Sequence, residues 1–200
     1  MPLLLAILLT AGAVPSEPQW RYDGATDGMR VELRAVPGSP FDEIRVTAIS
    51  SASLQALCDA IFAKGLSGKA EGRFKRRDVI KETDTDRWTY EQISVPVVSD
   101  RDYVMHVKLE QPASSGTCRV SFQTETEASH PPVQGFVRIP SIRGSWTLVP
   151  ADGTVRVSYE VFSDPGGGVP AFLVRGKQRD AAVDFFKVIL ARATAKVASP

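Results

Sequence analysis

The 200-residue chain has no asparagine, two histidines and two cysteines, and its 24 basic residues are almost balanced by 23 acidic ones. Without asparagine there is no acceptor for N-glycosylation. A net charge of +1, with no basic or acidic tail, gives no cationic surplus to replace phosphate counterions, so nucleic acid is not an expected partner. His106 and His130 stand in neither a Gly-x-Ser-x-Gly nor a His-Glu-x-x-His context, so no catalytic residue is expected from them. The cysteines and histidines are too widely spaced for a recognisable zinc site, so neither metal nor cofactor is expected. Cys58 falls on an expected helix and Cys118 on an expected strand, and they read as two buried small apolar side chains rather than as a bridge. Also missing is any run of the about 20 apolar residues that a membrane-spanning helix needs. The segment Leu3–Val14 is shorter, and it carries the small residues Ala11, Gly12 and Ala13. Residues 1–13 therefore read as an export signal removed near Ala13, which directs the chain to the periplasm or outside the cell. No Lys or Arg precedes the apolar run; the alternative is a mis-assigned start codon and a cytoplasmic protein.

What is present is alternation. A hydrophobic share of 43% in a chain of this length is enough for one domain with a core of its own. Val31, Leu33 and Ala35 alternate with Arg30, Glu32 and Arg34, and Ile44, Val46 and Ala48 with Glu43, Arg45 and Thr47, across a Pro-Gly-Ser-Pro turn. Ser53 caps a short helix whose apolar side is Leu54, Leu57, Ile61 and Phe62. About six further strands follow, with a hairpin signal at Asp152-Gly153. After Asp164-Pro165-Gly166-Gly167-Gly168-Val169-Pro170 comes a long Pro-free run in which Phe172, Ala182, Phe186, Ile189, Ala193 and Val197 recur at steps of three and four, widened by Phe185 and Val188. At 1.5 Å per residue this helix is roughly 40 Å long. Two strands, a helix, six strands and a closing helix make an α+β fold, in which a curved antiparallel sheet wraps round the long C-terminal helix.

Three stretches then resemble a known family in register. They are Pro96-Val97-Val98-Ser99-Asp100-Arg101-Asp102-Tyr103-Val104, then Gly135-Phe136-Val137-Arg138 leading into Gly144-Ser145-Trp146-Thr147-Leu148-Val149-Pro150, then Asp164-Pro165-Gly166-Gly167 with Val169-Pro170. With Gly28-Met29-Arg30-Val31 ahead of them, they make residues 20–197 resemble a bacterial-type START domain, the lipid-transfer module related to steroidogenic acute regulatory protein. Val97-Val98 stands where the family commonly carries a tryptophan between its two prolines.

The resemblance implies a helix-grip fold with a hydrophobic tunnel between sheet and helix that holds one lipid, such as a sterol, a phospholipid or a ceramide. On alternation alone, the inward stripe would be an ordinary packed core. The resemblance turns it into a cavity lining, comprising Trp88, Tyr103, Met105, Val107, Phe122, Trp146, Leu148 and Tyr159 from the strands and Phe172, Phe185 and Ile189 from the helix. Gly166, Gly167 and Gly168 become the hinge of a lid. Arg101 is expected to anchor structure, and Arg73 with Lys75-Arg76-Arg77 to be a solvated strand face able to attract anionic lipid. The expected function is non-enzymatic binding and transfer of a single lipid, with transient membrane contact; the sequence sets no oligomeric state, and a monomer is the default. The alternatives are a helix-grip enzyme such as a polyketide cyclase, or an interaction module gated by lipid.

Overall fold

Residues 18–62, 74–94, 99–126 and 130–195 are described by a computed structural model. The strands are β1 (Arg21–Thr26), β2 (Met29–Ala35), β3 (Asp42–Ser50), β4 (Phe74–Glu82), β5 (Asp86–Ile93), β6 (Arg101–Gln111), β7 (Cys118–Glu125), β8 (Val137–Arg138), β9 (Ser141–Ala151) and β10 (Thr154–Asp164). Helix α1 (Leu54–Ile61) lies between β3 and β4, and α2 (Ala171–Ala195) closes the chain. Among the described residues the strands form one sheet in the order β1-β2-β3-β10-β9-β7-β6-β5-β4, antiparallel throughout, and β8 adds a short parallel pairing to β6. The expected export signal, the loop 65–72, the Val97-Val98 pair and Val197 lie outside the described residues.

Tight turns account for the hairpins. Asp152 and Gly153 take φ of 47° and 77°, the left-handed pair that matches the twist of two paired strands, and β9 and β10 run in unbroken register on either side. Asp27 and Gly28 do the same at 50° and 76° and create β1, a strand that alternation starting at Gly28 leaves out. Gly144 serves a different need. A Cβ there would lie 2.0 Å from the Glu160 carbonyl oxygen and 2.5 Å from the Phe122 ring, so only glycine lets β9 press this closely on its neighbours as the sheet curls.

Helix α1 starts where the Ser53 side chain accepts a hydrogen bond from the Ala56 N–H at 3.1 Å. It buries Leu57, Cys58, Ala60 and Ile61 against Leu148, Val157 and Val120. Over the same sheet, α2 sets down Ala182, Val183, Phe186, Ile189 and Ala193. Trp146 stacks between Tyr159 and Phe186, with ring centroids at 4.3 and 5.4 Å.

The two cysteines are not free thiols. Cys58 and Cys118 form a disulfide that pins α1 to β7. Their elements lie far apart in the chain, and only the docking of α1 onto the sheet brings them together. The outer face carries a buried ion pair: Arg138 donates from Nε and Nη2 to the two carboxylate oxygens of Asp102 at 2.9 and 3.0 Å, and the Tyr90 hydroxyl donates to the same carboxylate at 3.0 Å. Burial alone would raise the Asp102 carboxyl, but hydrogen bonds from Arg138 and Tyr90 outweigh it and hold it below the ordinary carboxylate range.

Two stability outcomes are expected. The Cys58–Cys118 bridge closes a separation of 60 residues, which constrains the unfolded chain by about 4 kcal/mol. Replacing both residues by alanine should lower the free energy of urea unfolding by about that much, and reduction of the wild type should match it. Asp102→Asn should cost about 3 kcal/mol at neutral pH. Because the folded carboxyl titrates below its unfolded value, its contribution is present above about pH 4 and is lost as pH falls further. Unfolding curves of wild type and variant should therefore converge under acid conditions.

Candidate functional site: an internal cavity beneath the last helix

A cavity of about 690 Å³ lies between the concave face of the sheet and α2. Its walls are mostly apolar: Tyr103, Met105 and Val107 on β6, Val120 and Phe122 on β7, Ile142 and Trp146 on β9, Tyr159 and Val161 on β10, and Leu173, Ala181, Phe185, Val188 and Ile189 on α2. Strand parity explains the lining, since alternate residues of each strand face the helix. A second hollow, on the outer face of the sheet, is lined mainly by charged and polar strand residues and offers an apolar ligand little.

One end of the cavity is polar. Glu91 accepts from Arg77 Nε at 2.7 Å and from the Thr89 hydroxyl at 3.1 Å on one oxygen, and from the Tyr103 hydroxyl at 2.6 Å on the other. Glu91 is 6% exposed, so this network satisfies a carboxylate that could not otherwise be buried. Burial first, and then the neighbouring Glu91 charge, push the Tyr103 phenol well above its ordinary value; burial likewise raises the Tyr159 phenol. Arg101 borders the same end. It is 2% exposed and donates from Nε to the Pro165 carbonyl at 3.3 Å and from Nη1 to the Ser99 carbonyl, which ties β6 to the glycine turn ahead of α2.

Of the residues read from the sequence as cavity lining, Tyr103, Met105, Val107, Phe122, Trp146, Tyr159, Phe185 and Ile189 border the cavity, and three do not. Trp88 is on the outer face, stacked on His106 at 4.2 Å with its indole N–H donating to Glu125. Leu148 has the inward parity but is fully buried in the core that α1 covers. Phe172 is 79% exposed. The first turn of α2 buries Val174 among Phe41 and Phe162, and two residues of helical rotation, about 200°, send Phe172 the other way. Gly166, Gly167 and Gly168 all have positive φ, of 66°, 68° and 64°; the first two pack on Val137, and the third is open.

Arg77 is a correction too. It points inward onto Glu91 rather than joining a solvated basic face, because β4 slips register between Phe74 and Arg76. Arg77, Thr89 and Glu91 were missed, although counting back by twos from the inward Ile93 gives Glu91 and Thr89. Their polarity and the size of Trp88 and Tyr90 masked that parity. Among the described residues no group of His, Cys, Asp and Glu side chains converges as a metal site.

This geometry has relatives. An uncharacterized protein of Pseudomonas aeruginosa, PA1579, is 31% identical over 192 residues, covering 92% of this chain and 91% of its own. The crystal structure of a STAR-related lipid transfer protein from Xanthomonas axonopodis superposes with a TM-score of 0.76 at 27% identity, over 88% of this chain and 98% of that one. The chain belongs to the START domain family. Human StAR-related lipid transfer protein 5 shares the fold of this START domain, with a TM-score of 0.75 at 19% identity over 88% of this chain and 86% of its own. So, more distantly, does the Zhui aromatase/cyclase of Streptomyces, at 0.53 and 11% identity over 78% of this chain and 96% of that one. No family model matches the chain. The helix-grip architecture is thus common to lipid carriers and to cyclases, and lipid binding is the property that the nearer START neighbours support.

The Glu91 network makes a testable pair of variants. Glu91→Leu strips Arg77 of its counter-charge and should destabilise the domain by about 3 kcal/mol. Adding Arg77→Leu should recover most of that loss, as read by urea unfolding in a double-mutant cycle.

Proposed function

We propose that this START domain is a non-enzymatic carrier that encloses a single lipid and moves it between membranes or acceptor proteins. The observation that carries the reading is the cavity: about 690 Å³, walled by aromatic and aliphatic side chains, with polar groups gathered at one end. That volume is within the range of pockets that enclose a whole small ligand. Each methylene buried there contributes about 0.8 kcal/mol, so an acyl chain or ring system is held mainly by the walls and oriented by the polar end.

Carriage fits the polar end better than catalysis does. Both oxygens of Glu91 are occupied by protein donors, and Tyr103 is held far from a pKa useful for proton transfer near neutrality. Exchange requires an opening, and the run Gly166-Gly167-Gly168 is the natural point for α2 to lift. Membrane contact is supported by Phe172 and Leu173, exposed side by side at the start of α2 next to exposed Arg175 and Lys177. The Cys58–Cys118 bridge supports export, since such bonds persist in oxidising compartments and are rare in the cytosol.

Delipidated protein titrated with fluorescent sterol, phospholipid and fatty-acid probes should take up one ligand per chain and return it unchanged by mass spectrometry. Chemical turnover would favour the cyclase reading instead. Ala181→Trp, which adds an indole to the helix wall of the cavity, should lower uptake about tenfold or more, with little change in thermal midpoint.

A further inference from the structure

Among the described residues Arg101 has an unusual charge balance. Arg77 is matched by Glu91 and Arg138 by Asp102, whereas no carboxylate of the described residues comes within ion-pair distance of Arg101, although it is 2% exposed. Its acceptors are two backbone carbonyls, those of Ser99 and Pro165, reached from Nη1 and Nε. Nη2 donates to no acceptor among the described residues. The adjacent Asp100 acts on it only through space and is itself bonded to Lys75. A guanidinium cannot shed its proton in a protein, so the charge stays. Carbonyl dipoles offset only part of the cost of burying it.

The position gives the charge a direction. Arg101 is on the inward face of β6, two residues before Tyr103, and lines the polar end of the cavity. A Cβ on Gly167 would sit 3.5 Å from Nη2, so glycine at that position keeps the space beside the guanidinium clear. The neighbouring hydroxyls of Thr89 and Tyr103 are neutral and donate to Glu91, so neither supplies a counter-charge.

We propose that the ligand of this cavity is an anionic lipid, whose carboxylate or phosphate accepts a charge-assisted hydrogen bond from Nη2 of Arg101 while its chain runs along Met105, Phe122, Tyr159 and Phe185. The inference rests on the carrier reading and narrows it to a ligand class. A neutral headgroup would leave a buried cation without a counter-ion; an anionic one supplies it, with a hydrogen bond of the stronger, ionised kind.

The test is calorimetric titration of the delipidated full chain with hexadecanoate, hexadecyl phosphate and hexadecanol, which share a chain and differ in head charge, with inorganic phosphate as a fourth arm. One or both anionic lipids should bind about tenfold or more tighter than the alcohol, as expected for a hydrogen bond to a charged group, and which of them does so names the headgroup. Inorganic phosphate should not compete. Arg101→Gln should erase the preference, lowering affinity for the anionic lipids further than affinity for hexadecanol, and Arg101→Lys should restore part of it. Equal affinity for alcohol and anions in the wild type overturns the proposal even if Arg101→Gln does not fold, and leaves lipid carriage standing. Binding of none of the three lipids would instead remove carriage itself. A preference that survives in Arg101→Gln, or displacement by phosphate alone, also overturns it.

Discussion

Everything in this domain depends on α2 being held against the sheet without being allowed to close on it. Trp146, stacked between Tyr159 and Phe186, fixes the separation of helix and sheet through rings that cannot compress. Farther along the concave face the inward residues change to Arg77, Thr89, Glu91, Tyr103 and Arg101. These groups are buried or half-buried and held by the hydrogen bonds to Glu91 and by the contact of Arg101 with the Pro165 carbonyl, and a helix pressing closer would have to break those bonds. Two opposing demands, dense packing at one place and polar satisfaction at another, thus define the cavity.

The arrangement also distributes stability unevenly. The side of the sheet under α1 is cross-linked by Cys58–Cys118 and filled by Leu57, Leu148 and Val157, all with no measurable exposure. The side that borders the cavity faces a void of about 690 Å³ where the other side faces packed side chains, and the first turn of α2 is anchored by a small satellite cluster of Phe41, Phe162 and Val174. Low packing density under one end of a helix is where local opening costs least. The carrier proposed above would need this combination, a frame that stays folded while the start of α2 yields.

The family resemblance lay in short motifs, and the structure supplies physical reasons for them. Asp102 is fully buried in the bidentate pair with Arg138, so two of the three stretches meet in one ion pair. Arg101 reaches the Pro165 carbonyl, which joins the first stretch to the third. Gly144 is required by the approach of Glu160 and Phe122. What looks in the sequence like three separate signatures is one set of contacts that fastens β6, β8 and the turn before α2 to one another.

Alternation, the Asp-Gly turn and the long C-terminal amphipathic run were enough to determine an antiparallel sheet gripping a helix, because strand parity and helical phase are local properties of neighbouring residues. Parity also put eight of the lining residues on the correct face. It could not say which end of that face would be covered by α1 and which by a void, so Leu148 and Tyr103 were indistinguishable until the helices were in place. Nor could it detect the register slip that turns Arg77 inward, or the change of buried face along α2 that exposes Phe172. The Cys58–Cys118 bridge and the lack, among the described residues, of a carboxylate within ion-pair distance of Arg101 were likewise decided only by tertiary structure. Both concern distances between residues remote in the chain, and such distances are set by how elements dock, not by the order in which they are written.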